Sequence, residues 1–181
     1  MSGLERSQAP LLAVPFYGDG EPSPIVGTLA HVPEVLEVTM PFVGVVLGAS
    51  AIEARTKELV IVRTSARLGC RYCVQTHSVI ALDSGVSAQE VRALCGGGAL
   101  VEAFEASSER ALLAWVDAVA GGRGAVAPEI GAALRAHWSE AETVELTLLC
   151  SATMMLNRYC SALGLPTRPA TLRRLAAEGL T

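Results

Sequence analysis

Two cysteines and a histidine form the part of this sequence that is best suited to chemistry. Cys70, Cys73 and His77 stand at i, i+3 and i+7, so on a helix their side chains share one face. On ideal helix geometry the two cysteine Cα atoms are about 5 Å apart, within the range that a disulfide requires. The spacing therefore predicts a disulfide that opens and closes without rebuilding the backbone.

The position of Cys70 in the chain predicts an acidic thiol. Gly69 is expected to end the preceding helix, which puts Cys70 at the N-cap or in the first turn of the next helix. The free amides and the positive dipole end of a helix N-terminus favour a thiolate and lower the pKa of a cysteine there. Arg71 adds a positive charge nearby. We therefore expect a reactive thiolate at neutral pH.

Two residues are candidates for moving protons at this pair. His77 follows Cys73 by one turn, and an imidazole can take or return a proton near neutral pH. Glu58 lies on the preceding helix, and its carboxylate would orient the imidazole if the turn at Gly69 folds the two helices together. An ion pair between Glu58 and a neighbouring arginine is the alternative.

The other cysteines and histidines indicate no second site. Cys95, Cys150 and Cys160 are expected to be small buried hydrophobic residues, and His31 and His137 have no reactive neighbours in the sequence. Two thiolates and a histidine are also zinc ligands, but structural zinc takes four ligands, and neither a second Cys-x-x-Cys nor paired histidines follow. We expect no bound metal and no bound cofactor.

Helix signals run along most of the chain and predict an all-α fold. Ser-x-x-Glu capping boxes predict three helix starts, at Ser50 with Glu53, Ser87 with Glu90, and Ser139 with Glu142. Prolines suited to a first helical turn predict three more, at Pro33, Pro41 and Pro128. Glycines suited to left-handed helix ends stand at Gly69, Gly85, Gly96 to Gly98, Gly121 with Gly122, and Gly164. No segment shows the period-two alternation and turns of a hairpin.

Two predicted helices are apolar on nearly every side. They contain residues 59–62 and 144–156. The first run taken alone could be a buried strand, but the length of the segment and the signal at Ser50 favour a helix. Helices without a polar face lie at the centre of a bundle or between subunits. A protomer of 181 residues has little room to enclose both, so we expect a homo-oligomer.

Length and composition indicate one domain. A chain of 181 residues, 51% of them hydrophobic, can bury a single substantial core. We assign this all-helical domain to residues 25–181. The preceding residues 1–24 are expected to form an irregular arm, because they are dense in residues that break regular structure, namely Pro10, Pro15, Gly18, Gly20, Pro22 and Pro24.

Charge and hydropathy exclude several classes of protein. The net charge of −4, without a basic cluster, makes nucleic acid an unsuitable partner. The longest uncharged run, residues 38–52, contains a proline and two glycines and is shorter than the roughly 18 apolar residues of a membrane span. The first ten residues lack the pattern of a secretory signal, and five cysteines with one close pair do not form a secreted disulfide framework. We expect a cytoplasmic protein without membrane association.

The order of these residues also resembles a known family. Glu58, the run Cys70-Arg-Tyr-Cys73, His77, and then Gly85-Val-Ser before a capped short helix resemble the carboxymuconolactone decarboxylase family, in its alkylhydroperoxidase D-like branch. Weaker matches extend the resemblance over most of the chain. It implies an all-α helical bundle that assembles into dimers, trimers or hexamers, with peroxidase or disulfide-reductase activity and no prosthetic group.

The resemblance also assigns a role to each residue. Cys73 would be the peroxidatic thiol that becomes a sulfenic acid, Cys70 would resolve it as a redox-active disulfide, and His77 and Glu58 would carry protons. An external dithiol, lipoylated or thioredoxin-like, would reduce the disulfide by thiol exchange. The dipole argument makes Cys70 the more acidic thiol instead. Both assignments hold if Cys70 is the exposed sulfur that the reductant attacks.

One departure from the family pattern bears on function. Tyr72 stands where peroxidases of this branch carry a histidine, and a phenol donates a hydrogen bond but is a poor proton shuttle at neutral pH.

We predict an antioxidant enzyme, a thiol-dependent hydroperoxide reductase or dithiol-disulfide oxidoreductase. A non-redox lyase for a small carboxylated molecule, with His77 and Glu58 as acid and base, and a redox-sensing oligomeric binding protein stay open. Asn157 and Arg158 are expected to pack the last long helix.

Overall fold

A computed structural model describes residues 1–18 and 22–180. Gly20 and Thr181, which belong to the predicted arm and domain, lie outside the described residues. The α-helices are α1 (Pro24–Leu29), α2 (Pro33–Leu47), α3 (Ala54–Arg67), α4 (Arg71–Asp83), α5 (Ala88–Leu94), α6 (Leu100–Ala103), α7 (Ser107–Gly121), α8 (Pro128–Arg135), α9 (Glu140–Leu163) and α10 (Pro169–Ala177). No β-strand occurs in the described residues, so the all-α prediction is confirmed.

Helix α3 lies at the centre and contacts α4, α5, α7 and α9. Leu59 and Val62 face a core shared with α4, α5 and α7, whereas Val60 and Ile61 face a second core shared with α7, α8 and α9. All four side chains are at most 2% exposed, and burying each contributes roughly 1.5–3 kcal/mol. Residues 59–62 are apolar all round the helix because this part of α3 separates two cores, and the prediction of a helix there is confirmed.

Helix α9 packs one face against α3 and leaves another apolar face exposed. Val144, Leu148 and Met155 are 67%, 46% and 48% exposed, and on the adjacent helix α2 Val38 and Val45 are 69% and 77% exposed. These five side chains are called the α2/α9 surface below. The segment of residues 144–156 therefore faces the protein core on one side and solvent on the other. The exposed apolar side chains are the feature that continues to favour an oligomer.

Four of the six predicted helix starts match the structure. The Ser87 and Ser139 hydroxyls accept hydrogen bonds from the amides of Glu90 and Glu142, at 3.2 and 3.3 Å, and both capping boxes are complete. Pro33 and Pro128 are the first residues of α2 and α8. These signals succeed because they depend on hydrogen bonds within one turn of chain.

The predicted start at Ser50 with Glu53 is wrong. Helix α3 begins at Ala54 with Glu53 as its N-cap, and the Ser50 hydroxyl accepts the amide of Ile52 at 3.0 Å instead. Ile52 is only 4% exposed and belongs to the core beneath α3 and α9. Burying Ile52 keeps the chain in a turn through this segment, so the helix starts later than the local signal predicts.

The predicted start at Pro41 is also wrong, because Pro41 lies inside α2. A proline in a helix leaves the carbonyl four residues earlier, here that of Glu37, without its amide donor. Pro41 and Glu37 are both on the exposed side of α2, where water is available to that carbonyl.

Gly122 ends α7 as expected but with φ −78°, not in the left-handed conformation.

The N-terminal arm contains two single-turn 3-10 helices, Arg6–Gln8 and Val14–Phe16. Ala13 and Tyr17 are buried against α1 and α2, and the Tyr17 hydroxyl donates to the Leu4 carbonyl at 2.9 Å. The arm therefore packs on the body of the protein. None of the described helices is long and apolar enough to span a membrane.

Candidate active site

The turn between α3 and α4 positions Cys70. Gly69 has φ +66°, a conformation that glycine adopts without the clash a Cβ would cause, and the Cys70 amide donates to the Ser65 carbonyl at 3.0 Å. Cys70 is the N-cap of α4, and its Sγ accepts the amide of Cys73 at 3.4 Å. A sulfur thus occupies the position where serine or aspartate usually caps a helix.

The two sulfurs of the Cys-x-x-Cys pair touch. Sγ of Cys70 and Sγ of Cys73 are 2.7 Å apart, about 0.7 Å longer than the S–S bond of a disulfide. Hydrogen bonds from Cys160 and Cys73 lower the pKa of Cys70, whereas hydrogen bonding to Cys160 and Cys70, together with burial, raises the pKa of Cys73. The arrangement favours one thiolate, on Cys70, that accepts a hydrogen bond from the neighbouring thiol.

The expectation that Cys70 is the exposed sulfur is wrong. Cys70 is 0% exposed and Cys73 is 5% exposed. The Gly69 turn and the end of α9 cover Cys70, which belongs to a small buried cluster with Cys73, Cys160 and Leu165. Of the pair, only Cys73 lines a cavity, and a reagent from solvent therefore meets Cys73 first.

Glu58 and His77 meet across the contact between α3 and α4. The His77 Nδ1 and Glu58 Oε2 atoms are 2.9 Å apart, and the two side chains are 20% and 10% exposed. The alternative ion pairs of Glu58 do not form, because Arg55 binds Glu90 and Glu109 while Arg63 binds Asp117. The carboxylate therefore fixes the orientation of the imidazole, with Nε2 on the opposite side of the ring.

A small cavity of about 50 Å³ joins these groups. Its polar lining residues include Cys73, His77, Tyr72, Thr76 and Asn157, and apolar side chains of α1, α2, α3 and α9 together with Thr153 complete the wall. Such a volume holds about one or two water molecules. A larger cleft of about 520 Å³, lined by Arg71, Arg92 and Cys95 among others, contains none of the four predicted catalytic residues.

Tyr72 lies in the wall of the cavity. Burial raises the pKa of Tyr72 to about 12, against the opposing effect of a hydrogen bond with Thr76. The phenol therefore keeps its proton at physiological pH. It is suited to donating a hydrogen bond and not to carrying protons, as its chemistry predicts.

Asn157 reaches the cavity, so the expectation that it only packs the last long helix is wrong. It is 1% exposed, and its Oδ1 accepts a hydrogen bond from the Ser65 hydroxyl at 3.0 Å. Its Nδ2 has no hydrogen-bond partner among the described residues, although buried amide donors are nearly always paired. Arg158 is exposed and is not part of the lining. The signal missed in the sequence was Thr153 with Asn157, two polar residues one turn apart on an apolar helix.

Of the three remaining cysteines, only Cys95 differs from the expectation of burial. Cys150 is a buried core residue as predicted, with its sulfur 3.3 Å from the Thr64 hydroxyl. Cys95 is exposed, because it follows the end of α5. Cys160 is buried, but against the sulfurs of Cys70 and Cys73 and not in the general core. Across residues 1–18 and 22–180, no group of three or more His, Cys, Asp or Glu side chains is arranged to hold a metal ion.

Comparison with known proteins agrees with this architecture. The model of the carboxymuconolactone decarboxylase family matches residues 33–118, which include α2 to α6 and most of α7. No curated protein matches the chain. Residues 33–118 are thus similar to the carboxymuconolactone decarboxylase family, and the described residues have the alkylhydroperoxidase D-like fold.

Solved structures extend the likeness beyond the matched segment. A protein of unknown function from Agrobacterium tumefaciens, described as a candidate antioxidant defence protein AhpD, is 27% identical with a TM-score of 0.68, over 77% of this chain and 94% of that chain. A peroxidase-related protein from Ralstonia eutropha with an alkylhydroperoxidase AhpD core is 18% identical with a TM-score of 0.83, over 94% and 93%.

A third structure shows that the fold carries other activities. The debrominase Bmp8 is 22% identical with a TM-score of 0.79, over 98% of this chain and 96% of that chain. A cysteine-to-alanine variant of that enzyme has been solved in complex with 2,3,4-tribromopyrrole. Members of this family and fold are enzymes, and the chemistry differs among them.

Proposed function

We propose that the protein is a thiol-dependent hydroperoxide reductase of the antioxidant type, with Cys70 and Cys73 as its redox-active dithiol. One observation carries the proposal. The Cys73 sulfur touches that of Cys70 and also faces a cavity that it shares with His77, whose ring is held by Glu58. A nucleophile, a resolving thiol and an oriented proton carrier are therefore adjacent.

The first step is attack by Cys73 on the hydroperoxide. In the resting pair Cys70 holds the negative charge, and transfer of the Cys73 proton along the S–H···S contact moves that charge to Cys73. The Cys73 thiolate then attacks the terminal oxygen, the O–O bond breaks, and the sulfur becomes a sulfenic acid. His77 donates the proton that the departing alkoxide requires, and the product is an alcohol.

The second step is resolution by Cys70. Its sulfur attacks the sulfenic acid of Cys73, hydroxide leaves and takes a proton to form water, and the S–S bond closes. In total one hydroperoxide and two thiols give an alcohol, a water and a disulfide. Because the sulfurs are already 2.7 Å apart, closing the bond requires little movement of α4.

Asn157 and Glu58 support these steps without taking part in bond changes. The unpaired Nδ2 of Asn157 is a hydrogen-bond donor for a substrate oxygen inside the cavity, where such donors stabilise developing negative charge. Glu58 holds Nδ1 of His77 and fixes the orientation of the ring. We assign Asn157 and Glu58 to positioning and His77 to proton transfer.

The burial of the pair restricts the substrate and the reductant. A cavity of about 50 Å³ accepts a hydroperoxide group at Cys73 more readily than a ring such as tribromopyrrole. Since Cys70 has no exposed surface, a reductant must reach Cys73 through the same opening. A dithiol on a flexible arm, such as a lipoyl group on a protein, fits this better than the flat surface of a thioredoxin-like protein. We also propose a reducing, cytoplasmic location and a homo-oligomer joined at the α2/α9 surface.

Counting thiols tests this function directly. The reduced protein receives one equivalent of an organic hydroperoxide, and free thiols are titrated after denaturation. We expect a rapid loss of two thiols per subunit, which Cys73→Ser abolishes and Cys150→Ser, a buried cysteine outside the site, leaves intact. Addition of dihydrolipoamide should restore both thiols.

Three other outcomes would reject the proposal in favour of a different activity. Indifference of all thiols to the hydroperoxide would favour a lyase that uses His77 and Glu58 as acid and base. Oxidation that changes the oligomer size without turnover would favour a redox sensor. Loss of bromide from a bromopyrrole, with thiols inert to hydroperoxide, would favour a dehalogenase.

A further inference from the structure

The C-terminal part of α9 brings a third sulfur to the Cys-x-x-Cys pair. Cys160 is 1% exposed and forms one buried cluster with Cys70 and Cys73. The three thiols also shift one another's pKa, and Cys160 is the largest influence on the pKa of both Cys70 and Cys73. The segment is held firmly, since the Cys160 carbonyl accepts the amide of Leu165 at 3.0 Å and Gly164 caps the helix in the left-handed conformation.

Cys70, at the start of α4, and Cys160, on α9, belong to the same buried cluster. Hydrogen bonds from Cys160 and then from Cys73 lower the pKa of Cys70, and hydrogen bonding to Cys70 raises the pKa of Cys160. Both neighbours therefore favour the thiolate form of Cys70. Cys73 faces the cavity, whereas Cys160 is absent from its lining.

We propose that Cys160 is a third redox-active thiol, which exchanges with the Cys70–Cys73 disulfide to form a second disulfide, between Cys70 of α4 and Cys160 of α9. The inference rests on the dithiol chemistry proposed for Cys70 and Cys73. The Cys160 sulfur attacks Sγ of Cys70, the Cys70–Cys73 bond breaks with its electron pair going to Cys73, and the proton lost by Cys160 ends on Cys73. No oxidant or reductant is consumed.

The exchange changes what the oxidised protein presents to the cavity. With the bond moved to Cys160, Cys73 is a free thiol again and faces the next hydroperoxide without a resolving partner. A second equivalent of hydroperoxide then leaves a sulfenic acid on Cys73 instead of a second disulfide. The Cys70–Cys160 bond also joins α4 to α9 covalently, which a bond within the first turn of α4 does not do.

Trypsin separates the three sulfurs, so the bonds can be identified directly. Cleavage after Arg71 divides the pair, and Cys70, Cys73 and Cys160 fall on the peptides 68–71, 72–92 and 159–173, the last because Arg168 precedes a proline and is not cut. The reduced protein is oxidised either with one equivalent of cumene hydroperoxide or with diamide, which oxidises thiols without peroxide chemistry. Free thiols are blocked with N-ethylmaleimide, and the digest is analysed by mass spectrometry without reduction.

We expect two linked products in both arms, 68–71 with 72–92 and 68–71 with 159–173. Cys160→Ala removes the second product and leaves the first, while Cys150→Ala, a buried cysteine on the same helix, changes neither. In Cys73→Ser, diamide should convert nearly all of the protein to the product of 68–71 with 159–173. A double variant, Cys73→Ser with Cys160→Ala, should form neither product.

Two results would overturn the inference. The first is the absence of the 68–71 with 159–173 product from the diamide-treated wild type, whether or not Cys73→Ser forms it. The second is a dominant product of 72–92 with 159–173, which would make Cys73 and not Cys70 the partner of Cys160. Inertness toward cumene hydroperoxide with the expected products in diamide would reject the proposed peroxidase function and keep this inference.

Discussion

Nδ1 of His77 on α4 lies 2.9 Å from Oε2 of Glu58 on α3. The two residues are nineteen positions apart in the chain, and the turn at Gly69 brings them together by folding α4 back against α3. A buried carboxylate at this distance fixes the orientation of the imidazole ring and leaves the other nitrogen to act in the cavity.

Removing either member of this pair should slow the oxidation of Cys73. His77→Gln deletes the proton carrier and should lower the rate of hydroperoxide-driven thiol loss by about 100-fold, the lower range for acid–base catalysis. Glu58→Gln removes a charge-assisted hydrogen bond worth about 1.5 kcal/mol, or about tenfold in rate. Stopped-flow thiol oxidation measures both.

The matched control for Glu58→Gln is Glu53→Gln, the same exchange at the exposed N-cap of α3. It should leave the rate unchanged. Equal rates for Glu58→Gln and the wild type, from pH 6 to pH 8, would show that the carboxylate does not support the imidazole.

The reduced pair should carry one thiolate at neutral pH, and it should be that of Cys70. Hydrogen bonds from Cys160 and Cys73 lower the pKa of Cys70 from the ordinary 9.0, so the group stays charged as the pH falls below that value, until the pH passes through the lowered pKa. Absorbance at 240 nm reports thiolate without requiring access to the buried sulfur. At pH 7 the wild type should exceed Cys70→Ser by one thiolate per subunit.

The same titration gives an ordering of variants. In Cys73→Ser, Cys70 keeps the larger of the two effects that lower its pKa, the one from Cys160. Its thiol should therefore titrate at a pH between that of the wild type and that of a free cysteine. The stability that this thiolate contributes is present at high pH and is lost as the pH falls through the lowered pKa, since protonation then favours the unfolded chain. A wild-type protein whose only 240 nm step lies at or above pH 9 contradicts the assignment.

Glycine substitutions at two positions should have opposite effects on stability. Gly69 has φ +66°, so Gly69→Ala should cost roughly 1–2 kcal/mol of unfolding free energy through backbone strain, although a Cβ there meets nothing within 4 Å. Gly44 lies inside α2, also in open space, and Gly44→Ala should stabilise by about 0.5–1 kcal/mol. Urea unfolding measures both.

The Gly69 variant also tests how the turn supports the site. Because Gly69 directly precedes the N-cap Cys70, its substitution should raise the midpoint of the 240 nm titration, whereas Gly44→Ala should not. A neutral effect of Gly69→Ala on both stability and titration would mean that the positive φ is not required.

The α2/α9 surface should hold the oligomer together. Val45 and Val144 are 77% and 67% exposed on adjacent helices, and placing a charge at each would bury unpaired ammonium groups in an apolar interface. The double variant Val45→Lys, Val144→Lys should sediment as a monomer at concentrations where the wild type does not. Leu11→Lys, at a side chain that is 90% exposed on the N-terminal arm, is the matched control, and dissociation of that variant instead would locate the interface on the arm.

Local signals in the sequence predicted the elements well and their exact starts less well. The capping boxes at Ser87 and Ser139 were confirmed because each is complete within one turn. The signals at Ser50 and Pro41 were wrong because burial of Ile52 delays α3 and because α2 continues through a proline on its exposed side. In both cases a tertiary contact or solvent position outweighed a local preference of about 1 kcal/mol.

The candidate site likewise has a part that the sequence predicts and a part that only the tertiary structure reveals. The placement of Cys70, Cys73 and His77 on one face of α4 follows from helical periodicity, and the N-cap position of Cys70 follows from a glycine that can end α3, so the sequence alone determined both. The contact of Glu58 with His77, the opening of Asn157 into the cavity, the burial of Cys70 and the approach of Cys160 depend on how α3, α4 and α9 bury their apolar faces together. Those contacts join residues up to ninety positions apart, and only packing of the whole chain, not the hydrogen bonds within a turn, decides them.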